Sequence, residues 1–318
     1  MRPVGAIQRG SAARPIRKIS RTLPWPYAQS ESVTEELELQ TPRLRLAARA
    51  WGPPDGRPVL ALHGWLDNAA SFDALAPWLP DVRLVALDLT GHGRSEHRPP
   101  GTHYHFVDFV PDVIAAADVL HWDRFALLGH SLGGGIASFV AAILPERVSR
   151  VAMIEGLGPP TSNPADGPAD LRKSMDQMNA LPRKRPPVYA NLEAAIQARC
   201  EAGGLSWTAA TILVERGLQP ITSGFGWRTD PRLRFVSPLY LSEPQILAYM
   251  ERISMPALLI CGADGYLVKR AYMQERYARI RDLRVEILPG GHHPHLEDPE
   301  PCARLLAPFF AATEGLTA

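Results

Sequence analysis

An α/β fold, with a mostly parallel sheet flanked by helices, is predicted by three features of the 318-residue sequence. Short apolar runs of strand length alternate with stretches of helical periodicity from about Glu35 onward, the alternation that builds a parallel sheet covered on both faces. One of these runs, Phe125–Gly129, passes directly into a glycine-bounded serine and a second helical stretch. Between Glu155 and Pro256 the alternation stops. A loop of that length needs structure of its own, so a helical cap inserted between two sheet strands, over the ends where a site would sit, is expected.

Element by element, Glu36–Gln40 and Leu44–Trp51 read as strands joined around Pro42. Pro58–His63 is a buried strand ending at Gly64, and Asn68–Leu79 has helical spacing through Phe72, Leu75 and Leu79. Val82–Leu89 is a further buried strand and Phe106–Leu120 an amphipathic helix. Strand Phe125–Gly129, helix Gly133–Leu144 and strand Val148–Glu155 follow. Within the insertion, helices are expected near Leu171–Asn179, Tyr189–Ala202 and Ser206–Gly217, then an irregular Gly224–Pro238. Strands Ala257–Cys261 and Leu283–Leu288 resume the sheet, with helices near Lys269–Ile280 and Pro301–Ala311. The division expected is a core over 35–157 and 254–318 with a cap over 158–253.

Composition narrows the functional classes. With 46% hydrophobic and 21% charged residues and a formal net charge of +1, nothing favours nucleic acid or an anionic membrane as partner. No apolar run is long enough to span a bilayer. Cys200, Cys261 and Cys302 are odd in number and lack metal-ligand spacing, which fits reduced thiols and a cytoplasmic setting. Residues 1–34 begin Arg-rich and acid-poor, as transit peptides do. Their prolines spoil the amphipathic helix such peptides form, so a disordered basic extension is the preferred reading.

Gly129-His130-Ser131-Leu132-Gly133 matches the G-x-S-x-G pattern in the context that gives it meaning, between a strand and a helix. The sharp turn strains the serine and leaves no room for side chains beside it, hence the glycines. A serine hydroxyl needs a base to take its proton. The base is expected after the last strand, where Pro289-Gly290-Gly291-His292-His293-Pro294-His295-Leu296-Glu297-Asp298-Pro299 supplies three histidines. Three close histidines also suggest a metal site, but no carboxylate or cysteine stands at ligand spacing upstream, so no metal is expected.

On these motifs the chain resembles the α/β-hydrolase superfamily from roughly Glu36 to the C-terminus. The resemblance implies His292 as the catalytic histidine, with His293 and His295 pointing elsewhere. It implies an oxyanion hole from the backbone amides of Leu132, after the nucleophile, and Trp65, after His63-Gly64. His63 is then a structural hydrogen-bonding residue, and Asp88, heading Asp88-Leu89-Thr90-Gly91-His92-Gly93-Arg94-Ser95, a brace for its loop. The superfamily's usual acid position, three residues after Gly262, holds Gly265, and Asp264 lies one residue early. Certain haloalkane dehalogenases take their acid from the end of the strand equivalent to Val148–Glu155, where a buried glutamate needs a partner. Glu155 is therefore the first choice of acid and Asp264 the alternative.

The segments Met153-Ile154-Glu155-Gly156-Leu157-Gly158-Pro159-Pro160, Gly226-Trp227-Arg228-Thr229-Asp230-Pro231-Arg232-Leu233 and the histidine run resemble the serine hydrolase-like protein family. What this implies is a carboxylic ester or thioester hydrolase acting on a small molecule through an acyl-enzyme on Ser131, without metal or organic cofactor. The same residues would serve carbon–carbon hydrolysis, acyl transfer or perhydrolysis, and the glycine at position 265 leaves open a catalytically silent binding protein. Tyr189, Trp207, Phe225, Trp227 and Tyr240, with Trp65, are candidates for an apolar acyl or aryl pocket, or equally for the cap's own core. Arg228 and Asp230 read as a pair fixing the cap, with contact between Arg228 and an anionic substrate group as the alternative.

Overall fold

The computed structural model describes residues 17–20, 34–183 and 185–312. Its strands are β1 (Arg17–Ser20), β2 (Glu35–Gln40), β3 (Arg45–Trp51), β4 (Arg57–Leu62), β5 (Val82–Leu87), β6 (Phe125–His130), β7 (Val148–Ile154), β8 (Val188–Tyr189), β9 (Leu218–Ile221), β10 (Gly224–Trp227), β11 (Ala257–Gly262) and β12 (Leu283–Leu288). Nine of them form one sheet in the order β1-β2-β3-β5-β4-β6-β7-β11-β12. The pairs from β5 through β12 are parallel, whereas β1–β2, β2–β3 and β3–β5 are antiparallel. Most of the expected basic extension lies outside the described residues.

Alternation along the central strands explains the layering. Leu60, Leu62, Val85, Leu87 and Leu127 face one core, with α1 (Phe109–Val119) and α2 (Leu132–Ile143) packed over them. Val59, Ala61, Leu84, Ala86 and Leu128 face the other, beneath Phe72 and Leu75. Side chains two apart share a face, so a run apolar at every position is buried on both sides.

The expected helix over Asn68–Leu79 is instead two 3-10 turns, Ala69–Phe72 and Ala76–Trp78. Pro77 lacks the amide a continuous helix would need, and the Asn68 side chain caps the first turn by accepting from Ala70 N–H at 3.1 Å. The insertion contains α3 (Gly167–Ala180), α4 (Leu192–Gly203) and α5 (Trp207–Gly217), close to the expected helices. It is not purely helical. The stretch read as irregular contributes β10, which pairs antiparallel with β8 and β9 in a three-stranded sheet. Gly224, at φ 135°, makes the β9–β10 turn possible.

The helix closing the insertion, α6 (Glu243–Met250), buries Ile246 and Met250 in the same core as α2. Beyond it come α7 (Met273–Arg279), α8 (Pro294–Glu297) and α9 (Pro299–Ala311), the last burying Cys302, Leu306 and Phe310 under the second sheet face. Cys200, Cys261 and Cys302 are free thiols. None of the described helices is long and apolar enough to cross a membrane.

Candidate active site

Ser131 occupies the turn between β6 and α2 with φ 50° and ψ −112°. Such a conformation costs a non-glycine residue on the order of 1–3 kcal/mol and persists only where its surroundings impose it. Here Ser131 N–H donates to Ile154 O at 2.9 Å, and Gly135 N–H to Ser131 O at 3.1 Å. A Cβ on Gly133 would stand 2.0 Å from the Leu62 carbonyl oxygen. The start of α2 therefore approaches the end of β4 too closely for any side chain there.

His292 follows β12 through Gly290 and Gly291. Its Nε2 lies 2.9 Å from Ser131 Oγ and its Nδ1 3.1 Å from Glu155 Oε2. An ionised carboxylate only accepts, so it takes Nδ1–H and leaves the Nε2 lone pair facing the serine hydroxyl. Glu155 also accepts the backbone N–H groups of Gly262, at Oε1, and Tyr266, at Oε2, both at 2.8 Å. Burial raises the Glu155 pKa, but the hydrogen bonds from His292 and the two amides outweigh it and hold the carboxyl below its ordinary value. Burial likewise depresses His292, against the opposing pull of Glu155, and the net shift is downward. A neutral imidazole with a free lone pair on the serine side is the form that can take a proton.

Asp264, the alternative acid, does not join this group. The residue is exposed, and its main-chain carbonyl accepts from Lys269 Nζ at 3.0 Å. Gly265 explains the substitution of one acid position for another. A Cβ there would lie 2.2 Å from Glu155 Oε1 and 2.5 Å from Oε2, so the space a residue at 265 would use is filled by the Glu155 carboxylate.

Leu132 is the first residue of α2, so its amide has no intrahelical acceptor. Trp65 lies in the turn after β4, and Gly133 N–H donates to His63 O at 3.1 Å, tying that turn to the start of α2. Among the described hydrogen bonds neither amide has an acceptor. His63 is buried and structural: Leu89 N–H donates to its Nε2 at 3.0 Å, and its Nδ1–H donates to Gly64 O at 2.8 Å. Asp88 braces its loop by accepting Ala69 N–H at 2.7 Å and Arg94 N–H at 2.8 Å. It also pairs with Arg216 of α5 at 2.9 Å, and Arg216 reaches Glu36 at 2.7 Å, so one buried guanidinium ties the inserted segment to β2 and to the loop after β5.

One expectation for the inserted segment is corrected. Arg228 does not pair with Asp230. Arg228 Nε donates to Leu218 O at 3.0 Å, whereas Asp230 pairs with Arg232 at 2.7 Å and accepts Tyr104 O–H at 2.9 Å. A bend at Thr229 parts the two residues: Arg228 N–H donates to Gly217 O at 2.8 Å, beside the β9–β10 sheet, and Asp230 N–H to Gly91 O at 2.8 Å, on the core side. Of the aromatic candidates, Tyr189, Phe225 and Trp227 pack against the insertion's own core with Leu205, Ile212 and Leu213, one of the two readings left open for them.

The site also contains residues that motif reasoning missed. Tyr266 holds Glu155 through its amide and sets its ring 4.4 Å from the His292 ring. Its only sequence signal is that it follows the unusual Gly265. His293 and His295 turn away from Ser131, as expected. His295 Nε2 lies 2.9 Å from Ser71 Oγ, and His293 Nε2 lies 3.4 Å from Asp67 Oδ2.

Comparison with known proteins places the fold in a family. The model of the alpha/beta hydrolase fold family matches residues 57–299. A serine hydrolase-like protein of Danio rerio is 34% identical over 288 residues, covering 86% of this chain and 88% of that protein. Serine hydrolase-like protein 2 of Homo sapiens is 30% identical over 312 residues, covering 89% and 96%. The crystal structure of hypothetical protein PA1622 from Pseudomonas aeruginosa PAO1 superposes with a TM-score of 0.84 at 43% identity, covering 87% of this chain and 99% of that one. A family model matched over residues 57–299, and relatives at least 30% identical over most of both chains, make this chain a member of the alpha/beta hydrolase fold family, among the serine hydrolase-like proteins.

Proposed function

We propose that the protein hydrolyses a carboxylic ester or thioester of a small molecule through an acyl-enzyme on Ser131. The observation that carries the reading is the continuous hydrogen-bonded chain from Ser131 Oγ through His292 to Glu155, with links of 2.9 and 3.1 Å. His292 removes the serine proton as Oγ attacks the acyl carbon, then returns it to the leaving alcohol or thiol. The amides of Leu132 and Trp65 receive the developing oxyanion. Water, deprotonated by the same histidine, then attacks the acyl-enzyme and regenerates Ser131. Glu155 orients the ring and stabilises its cationic form. No step in this sequence calls for a metal or an organic cofactor.

The exposed rings of Trp65 and Tyr266, half or more accessible, are the apolar surfaces offered to an acyl or aryl group. The glycine at 265, the one ground for a silent binding protein, has its counterpart in Glu155, which occupies the space an acid there would take. Reaction with a fluorophosphonate tests the reading. One adduct per chain is expected on the peptide containing Ser131, accompanied by turnover of aryl esters. Ser131→Ala should lose both. A folded wild-type protein that neither labels nor turns over an ester series of varied chain length would return the assignment to a silent binder.

A further inference from the structure

Behind His292 lies a second group of polar side chains that hydrolysis leaves unused. His130, Asp67 and His293 are each more than nine-tenths buried. His130 Nε2–H donates to the main-chain oxygen of His292 at 2.8 Å, which leaves the lone pair of a neutral ring on Nδ1. That nitrogen faces Asp67 Oδ2 at 3.6 Å, one acceptor opposite another. Both atoms are buried without a hydrogen-bond partner among the described residues. His293 Nε2 approaches the same oxygen to 3.4 Å, and all three atoms lie within 4.8 Å of one another. Ligands held at about 2.0–2.1 Å around a tetrahedral zinc stand roughly 3.3–3.4 Å apart. The two measured separations are close to that value and long for hydrogen bonds.

We propose that Asp67 Oδ2, His130 Nδ1 and His293 Nε2 form a binding site for one divalent transition-metal cation of the zinc class. Two imidazoles and a carboxylate suit zinc, cobalt, nickel or copper and serve magnesium or calcium poorly. The ligands have the outer partners that orient such residues: the His292 carbonyl behind His130, and Arg199 Nη2 on the other Asp67 oxygen at 2.6 Å. His130 adjoins Ser131 and His293 adjoins His292, so an ion here ties the nucleophile turn to the loop bearing the base. The inference rests on these three side chains and stands whether or not the bond cleaved is an ester.

The test is to strip the full-length protein with a chelator, load it with zinc, remove the excess by gel filtration and count bound metal. Wild type should retain one zinc per chain. With free zinc at a hundredfold excess over Kd its Tm should rise by at least about 3 °C, and magnesium should leave it unmoved. Asp67→Asn and His293→Gln should each lose the ion and the shift. Failure of folded wild type to hold zinc, or full retention by both folded variants, would overturn the site. Should the variants not fold, anomalous diffraction at the zinc edge from wild-type crystals decides: a peak among these three side chains supports the proposal, and a peak elsewhere refutes it.

Discussion

At Glu155 a side chain from the end of one strand takes the place a residue on the next loop would otherwise use. The Glu155 carboxylate lies where a Cβ on Gly265 would fall, with contacts of 2.2–2.5 Å, and it accepts amides from both sides of that glycine, Gly262 and Tyr266. Gly265→Ala should therefore displace the acid and misorient His292. Displacements near 1 Å can cost about 10²-fold in rate, so kcat on an aryl ester should fall about that far. Wild-type kcat would argue that the carboxylate has room to spare. His292 must be neutral to act as base, and its pKa lies below the ordinary 6.5 because it is buried. Log kcat/KM should thus stay level as pH falls to 6.5 and drop only at lower pH, and an acid limb centred above 6.5 would contradict this. The strained serine turn was legible because its signal is local: five residues between one strand and one helix. Which carboxylate meets His292 was only half legible. Its partner residues come from β11 and the loop beyond, and sequence does not show which of two carboxylates points inward.

At the scale of elements, helix α5 of the inserted segment is held to the sheet by a buried charge network. Arg216 of α5 pairs with Asp88 after β5 and with Glu36 of β2. Burial depresses the Arg216 guanidinium's proton affinity, but Asp88 and Glu36 more than compensate, and the net shift is upward. Removing the arginine leaves Asp88 buried without its cation, a change that costs on the order of 3–5 kcal/mol. Arg216→Ala should accordingly lower stability by that amount in chemical denaturation. Arg228→Ala, which removes bonds to Leu218 O and Gln219, should cost only about 1 kcal/mol. Equal effects would place the lock elsewhere. The helices of the insertion were readable from 3.6-residue periodicity. Its sheet was not, because β8 spans two residues and β9 and β10 four each, too short for alternation to register. The Asn68–Leu79 helix failed for the converse reason: the apolar spacing was right, but Pro77 broke the hydrogen bonding.

Across the whole molecule, buried neutral histidines make stability depend on pH. Burial depresses His63, His92 and His295, with His92 pushed down to about 3. Below pH 6.5 the unfolded chain binds protons on these rings that the folded chain refuses, so stability falls as pH drops from 6.5 toward 3. Asp73, whose carboxyl burial pushes up to about 6, and Asp112, also raised by burial, work the other way. But Asp67, Asp88, Glu155 and Asp230, held down by their hydrogen-bonding and charged partners, lose stability with falling pH alongside the three rings. Denaturant midpoints should therefore decline steadily from pH 7 to pH 4, and a flat profile would mean that these rings titrate normally. The class of the sheet was legible, though not its strand order, because nearly every core strand is apolar on both faces. The antiparallel start, β1 to β3 and on to β5, was not, since pairing direction leaves no mark on composition.

The central claim is that Glu155, not Asp264, completes the Ser131–His292 pair. It is tested most directly by the kcat of Glu155→Gln and Asp264→Asn on one aryl ester, each shown to be folded. Replacing a triad carboxylate by its amide costs about 10⁴-fold in a serine protease, so Glu155→Gln should lose about 10³–10⁴-fold while Asp264→Asn stays within about twofold of wild type. Collapse of Asp264→Asn with Glu155→Gln intact would contradict the account.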